Sequence, residues 1–176
     1  PLEHVVKCLV FYHPDDPTAL RAEQDALLLE VWQACNKSGH ELLLEVILPE
    51  NGPDKDERHY HTMLEHFYQL GIKPDWWKLP PLSSASWQQI TALIEREDPW
   101  SRGILILGLD APSDKLRAGF AEAAAHPMIK GFAVGRTIFG QPSRRWMQGE
   151  LSDEALIEEV KRNYLTLIGY WREARR

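Results

Sequence analysis

Leu42-Leu43-Leu44-Glu45-Val46-Ile47-Leu48 decides the fold class. An extended strand turns successive side chains to opposite faces. This run is therefore apolar on both faces, with one carboxylate inside it. A sheet with one wet face reads as alternation, whereas a continuous apolar run marks a strand covered on both sides, as in parallel sheets. Similar runs lie on either side: Val5–Tyr12, Trp76–Leu79, Ile104–Leu109 and Phe132–Phe139. Taken in order, the five starts are 37, 34, 28 and 28 residues apart. Such spacing accommodates a strand, a crossover helix and two short loops.

The stretches between carry helix signals. Asp16-Pro17 offers a capping acceptor and a proline suited to a first turn. The helix it opens runs through Leu20, Leu27, Leu28, Val31 and Trp32 and stops at Gly39. Asp56 to Leu70 is the second, with Met63, Leu64 and Phe67 on its stripe. Ser83 or Ser84 caps a third, whose inward residues are Trp87, Ile90, Leu93 and Ile94. Ser113 to Ala125 is the fourth. Ser152 caps the last, with Asp153 and Glu154 at its positive end and Arg172 and Arg175 at its negative end.

Strand–helix alternation throughout means an α/β domain, either an open doubly wound sheet or a (β/α)8 barrel. The Gly-rich dinucleotide and phosphate-loop fingerprints of doubly wound sheets are absent. A barrel requires eight strands, and this chain shows the five runs above. Its 176 residues are expected to form a single domain, 1–176. A net charge of −6 argues against nucleic acid or an anionic membrane as a partner. No apolar run approaches a membrane span. Two cysteines, Cys8 and Cys35, make no disulfide framework, so a reducing cytoplasm is the expected compartment.

Both α/β architectures place ligands at the carboxyl ends of strands. Lys78 lies within Trp76-Trp77-Lys78-Leu79. Apolar surroundings disfavour an ammonium and free an amine to attack a carbonyl; alternatively, the side chain snorkels to water. Glu45 is a lone carboxylate in an apolar strand, suited to acid–base work or to a structural ion pair. Lys7 in Val5-Val6-Lys7-Cys8 could share that carboxylate or face outward. Gly135-Arg136 and Gly108 end the last two runs. Gly135 allows close backbone approach, and Arg136 could grip a phosphate; a tight turn with a surface arginine is the alternative. His59, His61 and His66 fit a metal poorly because positions two apart do not share a helix face. His13 with Asp15 and Asp16 is the better metal candidate, although Asp16 is also the expected helix cap. Trp76 and Trp77 are expected to pack in the core and against helices.

The ordered set Val5-Val6-Lys7-Cys8-Leu9-Val10-Phe11-Tyr12, Leu44-Glu45-Val46, Asp75-Trp76-Trp77-Lys78, Ile106-Leu107-Gly108, Val134-Gly135-Arg136-Thr137 and Arg145-Trp146-Met147 resembles the class I tagatose-bisphosphate aldolase family. It is most similar to the aldolase-like carboxyl-terminal domain fused to sugar kinases of bacterial inositol catabolism, the 5-dehydro-2-deoxygluconokinase type. The resemblance implies a TIM barrel of which strands four to eight are present. It implies a Schiff-base lyase with Lys78 as nucleophile, Glu45 as acid–base and Lys7 in the same site. Gly108, Gly135 and Arg136 would hold the substrate phosphate, and neither metal nor cofactor is expected. The implied substrate is 2-deoxy-5-keto-gluconate 6-phosphate, cleaved to dihydroxyacetone phosphate and malonate semialdehyde. Leu79-Pro80-Pro81 and Leu109-Asp110-Ala111-Pro112 depart from the sugar-bisphosphate pattern and bear on the substrate. A fused sugar kinase is the expected partner, or a second copy covering the open sheet edge. The alternative is a non-catalytic domain that binds a sugar phosphate and regulates such a kinase.

Overall fold

The computed structural model describes residues 1–176. Five strands alternate with helices: β1 (Val6–Phe11), α1 (Thr18–Ser38), β2 (Leu42–Ile47), α2 (Arg58–Gln69), β3 (Trp76–Leu79), α3 (Ser84–Glu97), β4 (Gly103–Ile106), α4 (Ser113–Ala123) and β5 (Ile129–Phe132), followed by α5 (Arg136–Met147) and α6 (Asp153–Ala174). All neighbouring strands are parallel, in the spatial order β1-β2-β3-β4-β5. A doubly wound sheet reverses its strand order at a switch point. Here the order never reverses, which is the winding of a β/α barrel.

Register separates the two sheet faces. Leu44 pairs with Trp77, Trp77 with Ile104, and Ile104 with Ile129. All four side chains are fully buried, and they form one core with Met63 and Phe67 of α2, Trp87 and Ile90 of α3, and Phe120 of α4. Each such side chain contributes roughly 1.5–3 kcal/mol by leaving water. The opposite face carries Lys7, Leu9 and Phe11 from β1, Leu43, Glu45 and Ile47 from β2, Trp76 and Lys78 from β3, and Leu105 from β4. It is partly open: Leu9 is 38% and Phe11 52% exposed. β1 pairs only with β2 and β5 only with β4, so both outer strands are edges.

Helix ends follow local chemistry. Ser83 Oγ accepts from the Ser86 amide and Ser152 Oγ from the Ala155 amide, each capping a helix start. Gly39 ends α1 in the left-handed region at φ 76°. No helix is long and apolar enough to cross a membrane.

Three expectations need correction. The fifth strand is Ile129–Phe132, and most of Phe132–Phe139 is loop and the start of α5. Ile138 and Phe139 are apolar because they lie on that helix, where both amides donate to the Gly135 carbonyl. Asp16 does not cap α1: its Oδ2 accepts from the His13 amide at 3.1 Å, and Pro17 is the cap position without a side-chain bond. Trp76 is not turned to the helices like Trp77. It lies on the open face, with Nε1 donating to Glu41 Oε2 at 2.8 Å.

Candidate active site

Glu45 and Lys78 are register partners on β2 and β3, so their side chains leave the same face side by side. Glu45 Oε1 stands 3.1 Å from Lys78 Nζ, and Glu45 Oε2 stands 2.5 Å from Lys7 Nζ. Lys7 comes from one step below Leu9, the register partner of Glu45 on β1. The Glu45 side chain is 7% exposed, Lys78 16% and Lys7 46%. These are charge contacts: Oε2 is buried with no aligned hydrogen-bond donor. Buried glutamates require partners, and this one has two cations. The structure therefore gathers all three residues singled out on strands on the open face of the sheet, where Lys7 remains half-exposed.

Towards the carboxyl ends, the next residues on this face, Phe11, Ile47 and Pro80, line a cavity of about 690 Å³ together with Leu109 and Arg136. Arg136 begins α5 and also lines a neighbouring cavity of about 560 Å³. Gly108 serves close packing: a Cβ there would stand 2.8 Å from Val134 Cγ1, so the loops after β4 and β5 interlock. The turn beyond it closes by the Ala111 amide donating to the Gly108 carbonyl at 2.8 Å. Its central residues, Leu109 at φ 47° and Asp110 at φ 61°, both adopt the left-handed region. Such backbone costs about 1–2 kcal/mol per residue and is held by its surroundings, including Thr137 Oγ1 donating to the Ala111 carbonyl at 2.9 Å. Gly135 precedes α5, where a Cβ would meet the Phe139 ring at 3.0 Å.

The histidines sort differently from their sequence grouping. His66 pairs with Asp25 at 2.9 Å. His59 Nε2 lies 2.7 Å from Asp54 Oδ1, and fully buried His13 directs Nε2 at the same oxygen from 3.7 Å. Asp54 was not among the candidates. It sits in the Pro49–Asp56 loop, and that loop's length and its place after a strand were the only signals for it.

A parallel sheet wound in chain order, with charged side chains on its open face, defines the chain as a β/α protein with barrel-type strand order. The family model described as "Uncharacterized protein conserved in bacteria (DUF2090)" matches residues 1–175, and the chain belongs to that family. No curated protein matches it. Among solved structures it is similar to the fructose-bisphosphate aldolase from Plasmodium falciparum, determined in complex with TRAP and a small-molecule inhibitor. The TM-score is 0.56 at 14% identity, covering 98% of this chain and 55% of that one. The chain thus spans about half the length of the aldolase it matches, and the likeness is one of fold.

Proposed function

We propose that this chain carries the core of a class I aldolase site, with Lys78 as the Schiff-base nucleophile. One observation carries the reading: Lys7, Glu45 and Lys78 converge on the open face of the sheet. Lys78 in its neutral form attacks the ketone carbon of a keto-sugar phosphate. Glu45, or a water that it orients, delivers the proton that lets the carbinolamine lose water. For 2-deoxy-5-keto-gluconate 6-phosphate the iminium forms at C5. The proton of the C3 hydroxyl passes to the base, the C3–C4 bond breaks, and its electron pair moves into the iminium as an enamine. Malonate semialdehyde leaves, C4 is reprotonated, and water releases dihydroxyacetone phosphate and restores the lysine. Lys7 stays charged and keeps Glu45 paired throughout. Arg136, with the backbone at Gly108 and Gly135, holds the phosphate at the carboxyl end.

On this reading the five strands are strands four to eight of a barrel. The remainder comes from a preceding segment or a second copy, and a sugar kinase is fused to the whole. The open face and the unpaired outer edges of β1 and β5 support further strands beside these five, and the kinase rests on the sequence resemblance alone. The test is borohydride reduction with dihydroxyacetone phosphate, the product ketone. Peptide mass mapping is expected to find the adduct on Lys78, and Lys78→Ala to abolish it. An adduct that survives in Lys78→Ala, or its absence from the wild type, overturns the nucleophile. Saturable binding of the sugar phosphate without any adduct would instead favour the regulatory, non-catalytic domain.

A further inference from the structure

We propose that His13, Asp54 and His59 form a binding site for one divalent transition-metal ion of the zinc type. Their ligand atoms all lie within 4.8 Å of one another. His13 lies two residues beyond β1, Asp54 in the loop after β2 and His59 in the first turn of α2, so three separate segments converge. Two donors bound to zinc at ordinary lengths stand ~3.3 Å apart in a tetrahedron. The observed 2.7 Å and 3.7 Å separations from Asp54 Oδ1 bracket that value.

An unsatisfied group gives independent support. The His13 side chain is fully buried, and its Nε2 has no hydrogen-bond partner although it points into the cluster. Buried polar atoms ordinarily find partners. Packing against the His59 ring, 4.5 Å away between centroids, gives that nitrogen none. A metal ion would. Two imidazoles and one carboxylate suit zinc and its neighbours rather than calcium or magnesium, which take oxygen. Three protein ligands leave a fourth position for water.

The other ring nitrogen sets a condition. His13 Nδ1 accepts from the Asp15 amide at 3.1 Å, so the neutral ring carries its proton on Nε2. A metal at Nε2 moves that proton to Nδ1, which can then no longer accept from the Asp15 amide, so that bond is given up. Asp15 Oδ2, 4.0 Å away, is placed to accept it after a small rotation. Asp15 is thereby a positioning residue, in the carboxylate–histidine–metal arrangement common to such sites.

Titration calorimetry with Zn²⁺ alone on the full chain tests the proposal, and the absorption of bound Co²⁺ reports coordination geometry. One equivalent is expected, with tetrahedral cobalt bands. Asp15→Ala is expected to weaken binding by ~10–100-fold. His59→Ala and Asp54→Ala, at sites that are not fully buried, are expected to lose more than that while keeping their circular dichroism. Lys78→Ala is expected to bind zinc like the wild type, which separates this site from the aldolase reading. Failure of the wild type to bind stoichiometrically, or undiminished affinity in both His59→Ala and Asp54→Ala, overturns the proposal.

Discussion

Glu45 and Lys78 occupy the same register position on adjacent parallel strands, and their Oε1 and Nζ atoms lie 3.1 Å apart. Strand pairing makes the contact, so it needs no loop to form it. Replacing Glu45 by Gln leaves the largely buried Lys78 without its carboxylate partner. Breaking a fully buried pair from one side costs ~3–5 kcal/mol. Here about 2 kcal/mol is expected, because Lys7 can turn into solvent. Urea unfolding of Glu45→Gln measures it, and Glu45→Gln/Lys78→Met is expected to recover most of the loss.

Trp77 sits at the centre of the core, fully buried, with Nε1 donating to Tyr68 Oη at 2.9 Å. Trp77→Phe is expected to cost ~1–3 kcal/mol, because the tyrosine hydroxyl loses its partner. Trp77→Ala is expected to cost ~3–5 kcal/mol through the cavity it leaves. Denaturant midpoints should fall with unchanged slope.

Two helical glycines predict opposite outcomes for the same substitution. A Cβ at Gly119 would stand 2.4 Å from Pro81 Cβ, a rigid ring carbon on the loop after β3. Gly119→Ala is therefore expected to destabilise by ~1–3 kcal/mol, as overpacking does. Gly169 on α6 has nothing within 4 Å of a built Cβ. Gly169→Ala is expected to stabilise by ~0.5–1 kcal/mol through helix propensity alone. Thermal melts of the two variants should shift in opposite directions.

Asp98 follows α3, and burial raises its carboxyl above the ordinary 3.8, against the opposing donation of the Trp100 amide. A carboxyl raised by folding favours the folded state below its unfolded range, and that contribution is lost as pH rises through the folded value. At neutral pH the buried carboxylate thus works against folding. Asp98→Asn is expected to melt higher than the wild type at neutral pH, with the gap closing as pH falls below the unfolded range. A gap that widens on acidification would contradict this sign.

Much of this was legible from apolar continuity. Leu42–Leu48 and Trp76–Leu79 read as strands because both faces of those segments are apolar, and Glu45 and Lys78 stood out as the exceptions within them. Their contact follows from register, which no local pattern states. Phe132–Phe139 misled because the apolar residues of a short strand end and of a new helix adjoin across Gly135. Asp54 was invisible because its partners, His13 and His59, are 41 and 5 residues away and meet only through a loop. Trp76 and Trp77 look alike in sequence, yet strand alternation sends them to opposite faces.

Strands stacked in the order in which they are made carry a consequence for biosynthesis. Each strand emerging from the ribosome meets its only earlier neighbour already in place, and α2 meets α3 as α3 meets α4. No pairing waits for the far end of the chain, so loop-closure costs stay small at every step. The nascent polypeptide can therefore grow through these five strands as an ordered arc during translation.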